Sequence, residues 1–327
     1  MKNREDQDKI IIINTGGTIA METDEETDSV RPGQKQPLHT IEPTLAQYTR
    51  FEMVDLFNIP SPHMTLERMY TLGRTIMEYA SQANVSGFVI THGTDTLEET
   101  AYFLDLTLQT DKPVVVTGAM RSSNELGADG PVNLVQSVRV ASDAASRRRG
   151  VLVVFNDEIH AARFVTKTHT SNIATFQSPQ HGPVGMLTKK NVAYNQPPSR
   201  SQRYTISRVK RNVPLIKMVT GMEEAWLAFL LEQKIDGLVV EAFGAGNVPP
   251  AALPVLRELT ARGVPIVIVS RCYNGYVQDL YGYEGGGKQL KKMGCLFCNG
   301  LIGQKARIKL IVALEAGIPA HLLQAEF

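Results

Sequence analysis

Short apolar runs rich in β-branched residues alternate along the chain with longer stretches in which apolar residues recur every three or four positions. This alternation is typical of parallel strands joined by crossover helices. In the first half, the predicted strands are residues 10–14, 51–59, 87–91, 113–117 and 151–155, and the predicted helices are residues 65–83, 96–107 and 132–147. Thr96 and Glu99 have the spacing of a capping box, which predicts where the second helix begins. The pattern predicts an α/β fold.

A polar, proline-bearing segment near residues 195–211 interrupts this alternation, which then resumes. Beyond it, the predicted strands are 215–219, 237–241 and 264–270, and the predicted helices are 223–233, 250–262 and 304–316. We therefore expect two domains, a larger N-terminal parallel-sheet domain at 1–195 and a smaller, flavodoxin-like C-terminal α/β domain at 213–327, joined by a linker at 196–212.

Composition adds limits on partners and location. The 327 residues are 43% hydrophobic and 20% charged, as in ordinary globular proteins, and the formal net charge is +1. So small a charge gives no field that would attract nucleic acid or an anionic membrane, and we expect neither as a partner. The first apolar run, residues 10–13, is too short for a signal-peptide core or a membrane span, so the expected location is the cytoplasm.

The three cysteines, Cys272, Cys295 and Cys298, fit reduced thiols better than a disulfide framework. Cys295 and Cys298 form a single C-x-x-C pair with no second pair at zinc-site spacing, so a buried strand is favoured over a metal site. We therefore expect no metal at these cysteines.

Three loops carry candidate chemistry, and in a parallel sheet such loops gather at the carboxyl ends of the strands. Residues 14–20 follow the first strand and contain Gly-Gly-Thr, residues 91–96 contain His-Gly-Thr-Asp, and Lys167 lies among hydroxyl side chains at 165–168. Each has a simpler explanation taken alone. The first loop could bind a phosphate, Asp95 could cap a helix, and Lys167 could be a surface lysine.

Together, these loops suit acyl transfer. A threonine hydroxyl is a poor nucleophile unless a base removes its proton during attack. Burial lowers the pKa of a lysine, and a nearby carboxylate can position it, so hydroxyl, lysine and aspartate can act together as Ser-His-Asp does. Backbone amides at the start of the helix after Thr96 are candidates for binding the oxyanion.

The sequence resembles the bacterial-type L-asparaginases. Thr-Gly-Gly-Thr-Ile-Ala at 15–20 and Ile-Thr-His-Gly-Thr-Asp-Thr-Leu-Glu-Glu-Thr-Ala-Tyr-Phe-Leu at 90–104 are similar to the two signatures of that family. The likeness continues at residues 112–121, 128–134, 149–154, 165–168 and 304–307 and so spans nearly the whole chain. It implies hydrolysis of the side-chain amide of L-asparagine, with glutamine as a weaker substrate, in asparagine catabolism.

The resemblance also implies roles for single residues. Thr18 would be the nucleophile that forms an acyl-enzyme and releases ammonia. Thr94, Lys167 and Asp95 would form the relay that moves protons and activates the hydrolytic water. In this family the relay needs no metal or cofactor.

Further positions match the family's substrate-binding residues. Ser61 would bind the α-carboxylate, Gly93 would contact substrate through its backbone, and Asp95 would hold the α-amino group. Glu284 either matches a glutamate that a neighbouring subunit contributes to the amino-group site or is a solvated loop residue. The first alternative implies a homotetramer built as a dimer of dimers.

The chain departs from the family pattern at two places. Residues 21–36 contain no tyrosine, although secreted members carry one there that helps activate the nucleophile, and Pro62 replaces a frequent glutamine. Both departures leave open a non-catalytic amino-acid-binding protein of the same fold.

Overall fold

The chain divides into two compact units. The computed structural model describes residues 8–24, 27, 29–32, 41–198 and 202–327. The first unit is Met1–Arg203 and the second is Tyr204–Phe327. The division falls in the segment 196–212 that the sequence analysis assigns to the linker, part of which, 199–201, lies outside the described residues. The exact domain limits 1–195 and 213–327 stay a prediction.

The first unit alternates strands and helices. Its strands are β1 (Lys9–Gly16), β2 (Met21–Asp24), β3 (Ser29–Pro32), β4 (Arg50–Ile59), β5 (Val85–Thr91), β6 (Val114–Thr117), β7 (Val151–Phe155), β8 (Glu158–Ala161), β9 (Thr166–Lys167), β10 (Phe176–Gln177), β11 (Gly185–Leu187) and β12 (Val192–Tyr194). Its α-helices are α1 (Glu42–Leu45), α2 (Leu66–Ala80), α3 (Leu97–Thr107) and α4 (Gly130–Ser142). Short 3₁₀ turns at Thr18–Ala20 and Ser61–His63 follow β1 and β4.

The main sheet of this unit has the strand order β12-β11-β8-β7-β6-β5-β1-β4 within the described residues. Strands β4, β1, β5, β6 and β7 are parallel neighbours, which confirms the predicted parallel sheet. From β1 the chain passes to β4 on one side and then to β5 on the other. The strand order therefore reverses between β1 and β5, and ligands of such sheets bind at the carboxyl ends of the strands at this point.

The central strands β1, β5, β6 and β7 are buried on both faces of the sheet, which explains their continuous apolar runs. Ile10 and Ile12 of β1 pack in one cluster with Leu134 and Val138 of α4. Side chains alternate along a strand, so Ile11 and Ile13 lie on the opposite face, and all four isoleucines are 0% exposed. Helix α2 buries residues Met69, Leu72 and Ile76 at helical spacing. The core holds the strand ends in fixed positions.

One part of this sheet is antiparallel, which the sequence analysis did not predict. Strands β7 and β8 pair through Phe155 and Glu158 across a two-residue loop. Both loop residues, Asn156 and Asp157, have positive φ values of 47° and 65°. Two positive φ values in a two-residue hairpin define a type I′ turn, for which asparagine and aspartate are favoured. The turn reverses the chain and adds β8, β11 and β12 to the sheet edge.

Several predicted boundaries change in the structure. The strand at 151–155 is confirmed as predicted, whereas β1 and β5 extend further than residues 10–14 and 87–91. The predicted capping box is wrong in its contact, because Thr96 is the N-cap residue of α3 but its side chain makes no capping hydrogen bond. Thr96 Oγ1 instead donates to the carbonyl oxygen of Ser61 at 2.8 Å. Tertiary contact here overrides the local pattern.

The second unit is a smaller α/β layer structure. Its strands are β13 (Leu215–Lys217), β14 (Leu238–Ala242), β15 (Ile266–Ser270) and β16 (Leu296–Phe297), and its α-helices are α5 (Ala225–Glu232), α6 (Leu253–Ala261), α7 (Gly287–Lys292), α8 (Gly303–Glu315) and α9 (Leu323–Glu326). The strands are parallel and stand in the order β13-β14-β15-β16. This sequential order differs from the flavodoxin order, in which the first two strands are exchanged.

The core of the second unit explains its strands. Leu238 and Val240 of β14 pack with Leu227 of α5 and Leu256 of α6. Cys295 and Cys298, which flank β16, are each 2% exposed, as expected for a buried strand. Burial raises the pKa of the Cys295 thiol to about 12, so this thiol stays protonated and unreactive near neutral pH. Among the described residues, no helix is both long and apolar enough to cross a bilayer.

Candidate active site

The loops after β1 and β5 meet at the point where the strand order reverses. A Cβ atom on Gly17 would lie 2.3 Å from the Cα atom of Gly93, and one on Gly16 would lie 2.4 Å from the backbone nitrogen of Ile59. Both glycines also have positive φ values, 99° at Gly16 and 85° at Gly17. Backbone approach this close requires glycine, so the Gly-Gly pair brings the first signature against the second.

A buried network of hydrogen bonds joins the same two strand ends. Asn14 Oδ1 accepts hydrogen bonds from Gly16 N at 3.0 Å and from Thr91 Oγ1 at 2.9 Å. Thr15 Oγ1 donates to the Thr91 carbonyl at 2.8 Å. Asn14, Thr15 and Thr91 are each at most 1% exposed. Buried polar groups that are fully paired fix one arrangement of the chain, so this network sets the geometry of the glycine loop.

Thr18 follows Gly17 and is the first residue of the 3₁₀ turn Thr18–Ala20. The next two residues, Ile19 and Ala20, are buried and anchor this turn, whereas Thr18 is partly exposed. Within the part of the chain that the structure describes, no hydrogen bond joins Thr18 to Lys167. The structure thus places Thr18 just after β1, next to Gly17, which packs against Gly93.

Ser61 connects the loop after β4 with the loop after β5. Its Oγ atom accepts a hydrogen bond from Asp95 N at 3.2 Å, and a Cβ atom on Gly93 would lie 2.7 Å from the Ser61 Cβ atom. Since the hydroxyl accepts from Asp95, its own proton remains available for a ligand oxygen. The Asp95 amide thus donates to Ser61.

Lys167 lies between Thr94 and Asp95. Its Nζ atom donates to Thr94 Oγ1 at 2.9 Å and to Asp95 Oδ1 at 2.7 Å. The side chain of Lys167 is 17% exposed and that of Asp95 is 60% exposed, while Thr94 is buried. The lysine expected on the surface in the simpler explanation is thus mostly buried and paired. The hydroxyl, ammonium and carboxylate form a connected group that can pass a proton.

Lys167 comes from a different part of the chain than its partners. It lies on β9, which pairs with β10 in a separate two-stranded sheet. Its backbone nitrogen donates to Glu98 Oε2 at 3.1 Å, and Glu98 lies in the first turn of α3. The sequence analysis did not identify Glu98. The sequence shows a glutamate three residues after Asp95, but acidic residues are common in the first turn of any helix, so this position alone did not indicate a role in the site.

His92 is buried and hydrogen-bonded, as expected for a packed histidine rather than a base. Its Nδ1 atom lies 2.8 Å from the Gly93 carbonyl oxygen, and its Nε2 atom lies 2.9 Å from Thr100 Oγ1. A carbonyl oxygen only accepts, so Nδ1 carries the proton and Thr100 donates to Nε2. Complete burial lowers the pKa of His92 to about 4, against the smaller opposite effect of the Gly93 carbonyl.

Two further positions were singled out from the sequence, Glu284 and Pro62. Glu284 belongs to the second unit, where it is exposed in the turn before α7. Pro62 occupies the 3₁₀ turn Ser61–His63, a position that suits proline because the first turn of a helix needs no backbone donor. The segment without tyrosine, 21–36, falls partly outside the described residues.

Fold and site together define a two-domain α/β protein in which loops at a switch point present a threonine, a lysine and an aspartate. The model of the family described as "Asparaginase, N-terminal" matches residues 9–200. The model described as "Glutaminase/Asparaginase C-terminal domain" matches residues 212–327. The chain belongs to the asparaginase family.

Individual relatives agree over nearly the full length. The chain is 36% identical over 313 residues to a probable L-asparaginase from Deinococcus radiodurans, covering 94% of each protein. It is also 36% identical over 316 residues to L-asparaginase 2 from Escherichia coli, covering 93% of this chain and 88% of that protein. The crystal structure of a probable cytoplasmic L-asparaginase from Campylobacter jejuni matches with a TM-score of 0.86 and 31% identity, over 98% of this chain and 99% of that chain.

Proposed function

We propose that this protein hydrolyses L-asparagine to L-aspartate and ammonia, with Thr18 as nucleophile and Thr94, Lys167 and Asp95 as the proton relay. The observation that carries the proposal is the position of Lys167 Nζ within hydrogen-bonding distance of both Thr94 Oγ1 and Asp95 Oδ1. Relatives that are named L-asparaginases support the reaction.

In the first step, Thr18 Oγ1 forms a bond to the carbon of the substrate's side-chain amide, and its proton leaves through the relay. The relay then passes this proton to the amide nitrogen, the carbon–nitrogen bond breaks, and ammonia leaves. In the second step, water adds to the resulting ester and gives a proton to the relay, the bond to Thr18 Oγ1 breaks, Thr18 Oγ1 takes a proton back from the relay, and aspartate leaves. Lys167 is the base that takes up the proton, and the carboxylate of Asp95 stabilises the positive charge that results.

Substrate binding involves the neighbouring loops. We propose that Ser61 donates its free hydroxyl proton to the α-carboxylate, that Gly93 contributes backbone contacts, and that Asp95 also holds the α-amino group. Glu284 would act in the site of a neighbouring subunit, which implies a dimer of dimers. The exposure of Glu284 leaves it accessible for such a contact.

The proposed location is the cytoplasm. The free cysteines, of which Cys295 and Cys298 are buried as thiols, are consistent with a reducing compartment. The similarity to the Campylobacter jejuni protein, which is described as a probable cytoplasmic L-asparaginase, supports this location. L-glutamine is the second candidate substrate, because the matching C-terminal family model is described for glutaminases as well.

The direct test is ammonia release by the purified protein with L-asparagine, L-glutamine and D-asparagine, each at low and high concentration. Rapid release from L-asparagine and slower release from the other two would support the proposal. One methylene is commonly worth about 1–3 kcal/mol of discrimination, so the glutamine rate can lie roughly tenfold to a hundredfold lower. No release, together with a melting temperature raised by asparagine, would instead indicate a binding protein.

A further inference from the structure

The lysine of the relay needs a support that its own strand does not supply. Lys167 lies on β9, a strand of two residues that pairs with β10 through Phe176 and Gln177 and belongs to a sheet separate from the main sheet. Thr94 and Asp95 lie in the loop that joins β5, in the main sheet, to α3. Ladder hydrogen bonds therefore do not fix the lysine relative to its two partners. Another contact has to do so.

Glu98 makes this contact. Its Oε2 atom accepts a hydrogen bond from the backbone nitrogen of Lys167 at 3.1 Å, and the residue is 5% exposed. The short segment 94–98 thus binds Lys167 at both ends, at Nζ through Thr94 and Asp95 and at the backbone through Glu98. Since the end of the loop and the first turn of α3 hold both ends of a flexible four-carbon side chain, few of its rotamers remain compatible with the structure.

The chemistry of the contact suits this role. A carboxylate that accepts from a backbone N–H makes a charge-assisted hydrogen bond, which is stronger than one between neutral groups. Helix α3 begins at Leu97, so the buried carboxylate of Glu98 also lies in the first turn, where the helix dipole stabilises negative charge. These two interactions offset the cost of burying the Glu98 carboxylate.

We propose that Glu98 is a positioning residue that fixes the backbone of Lys167 and thereby directs its ammonium group at Thr94 and Asp95. The inference rests on the proposed hydrolysis, because the positioned lysine acts in that reaction. A catalytic group displaced by about 1 Å can cost about 10²-fold in rate, so the contact has a measurable consequence. A glutamate that served the helix start alone would affect stability and leave the rate per folded molecule unchanged.

The test uses three variants of the full chain. Glu98→Ala removes the acceptor, Glu98→Gln keeps an acceptor oxygen without the charge, and Glu99→Ala removes the same charge from the same helix turn while keeping Glu98. For each variant we would measure kcat and KM for L-asparagine, the melting temperature, and the hydrogen-exchange rate of the Lys167 backbone amide. The last measurement does not depend on activity.

The proposal predicts that Glu98→Ala lowers kcat by about 10²-fold, changes KM by less than about threefold, and speeds exchange of the Lys167 amide by at least about tenfold. Glu98→Gln should recover kcat to within about fivefold of the unchanged protein, and Glu99→Ala should stay within about twofold, because both retain an acceptor for Lys167.

An unchanged kcat in Glu98→Ala, or an unchanged exchange rate of the Lys167 amide, would overturn the inference. So would equal losses in Glu98→Ala and Glu99→Ala, since these would indicate a general effect on the helix start. If the unchanged protein released no ammonia, the proposed function would fail instead. The exchange rate of the Lys167 amide would then decide by itself whether Glu98 fixes this backbone.

Discussion

Lys167 Nζ lies 2.9 Å from Thr94 Oγ1, although 73 positions in the chain separate the two residues. The contact joins a two-residue strand to the loop at the end of β5. Folding therefore assembles the relay from segments that have no local relationship. The predictions below test the pieces of this assembly separately.

Removal of the side chain of Lys167 or of Thr94 should stop most of the turnover of L-asparagine. In Lys167→Ala and Thr94→Ala we expect kcat for L-asparagine to fall by about 10²–10⁴-fold, the usual contribution of a positioned acid or base. Steady-state ammonia release measures this. Lys190→Ala, which removes an exposed lysine of the same unit, is the matched control and should keep normal kcat. Comparable activity in Lys167→Ala and the control would exclude the relay.

Gly17 should tolerate no side chain because of the close approach of Gly93. Gly182 provides a matched control, since its φ is also positive, at 67°, but a Cβ atom there would meet nothing within 4 Å. Gly182→Ala should cost about 1–2 kcal/mol of unfolding free energy from backbone strain alone. Gly17→Ala should cost more than about 4 kcal/mol, or prevent folding. Denaturant unfolding measures both, and equal costs would contradict the packing of the two loops.

His92 should make stability depend on pH. Its pKa is lowered in the folded protein from the ordinary value of 6.5 to about 4, because burial disfavours the charged ring. Between these values the unfolded chain binds a proton that the folded chain does not. The contribution of His92 to the free energy of unfolding is therefore complete above about pH 6.5 and is lost as the pH falls towards 4. The loss amounts to at most about 1.4 kcal/mol per pH unit.

The measurement for His92 is urea unfolding of the unchanged protein and of His92→Gln between pH 7 and pH 4.5. Glutamine does not titrate, so the variant should be less stable at pH 7 and should lose less stability on acidification. Parallel curves for the two proteins would show that His92 does not contribute in this way.

Much of the fold was predictable because its strands are buried on both faces. The apolar runs at 151–155 and 10–13 favour strands of a parallel sheet that is covered on both faces. The structure confirms both as buried strands. The antiparallel edge was missed, although Asn156 and Asp157 carried the signal of a type I′ turn. That signal is weak in sequence, because the same pair also occurs in open loops.

The sequence singled out the residues of the proposed site but not the contacts between them. The motifs and their resemblance to the asparaginase signatures singled out Thr18, Thr94 and Lys167, although each loop taken alone has a simpler explanation. The sequence did not reveal that Thr96 donates to Ser61 or that Glu98 supports Lys167, since both contacts join segments distant in the chain. A local pattern predicts a helix cap equally well at each of these positions.

The most direct test of the central claim is ammonia release from L-asparagine by Thr18→Ala beside the unchanged protein and a control, Thr71→Ala, which alters an exposed threonine of α2. The account predicts rapid release by the unchanged protein and by the control, and a loss of at least about 10³-fold in kcat for Thr18→Ala, because the nucleophile is gone. Full hydrolytic activity in Thr18→Ala would contradict the assignment of Thr18 as the attacking group.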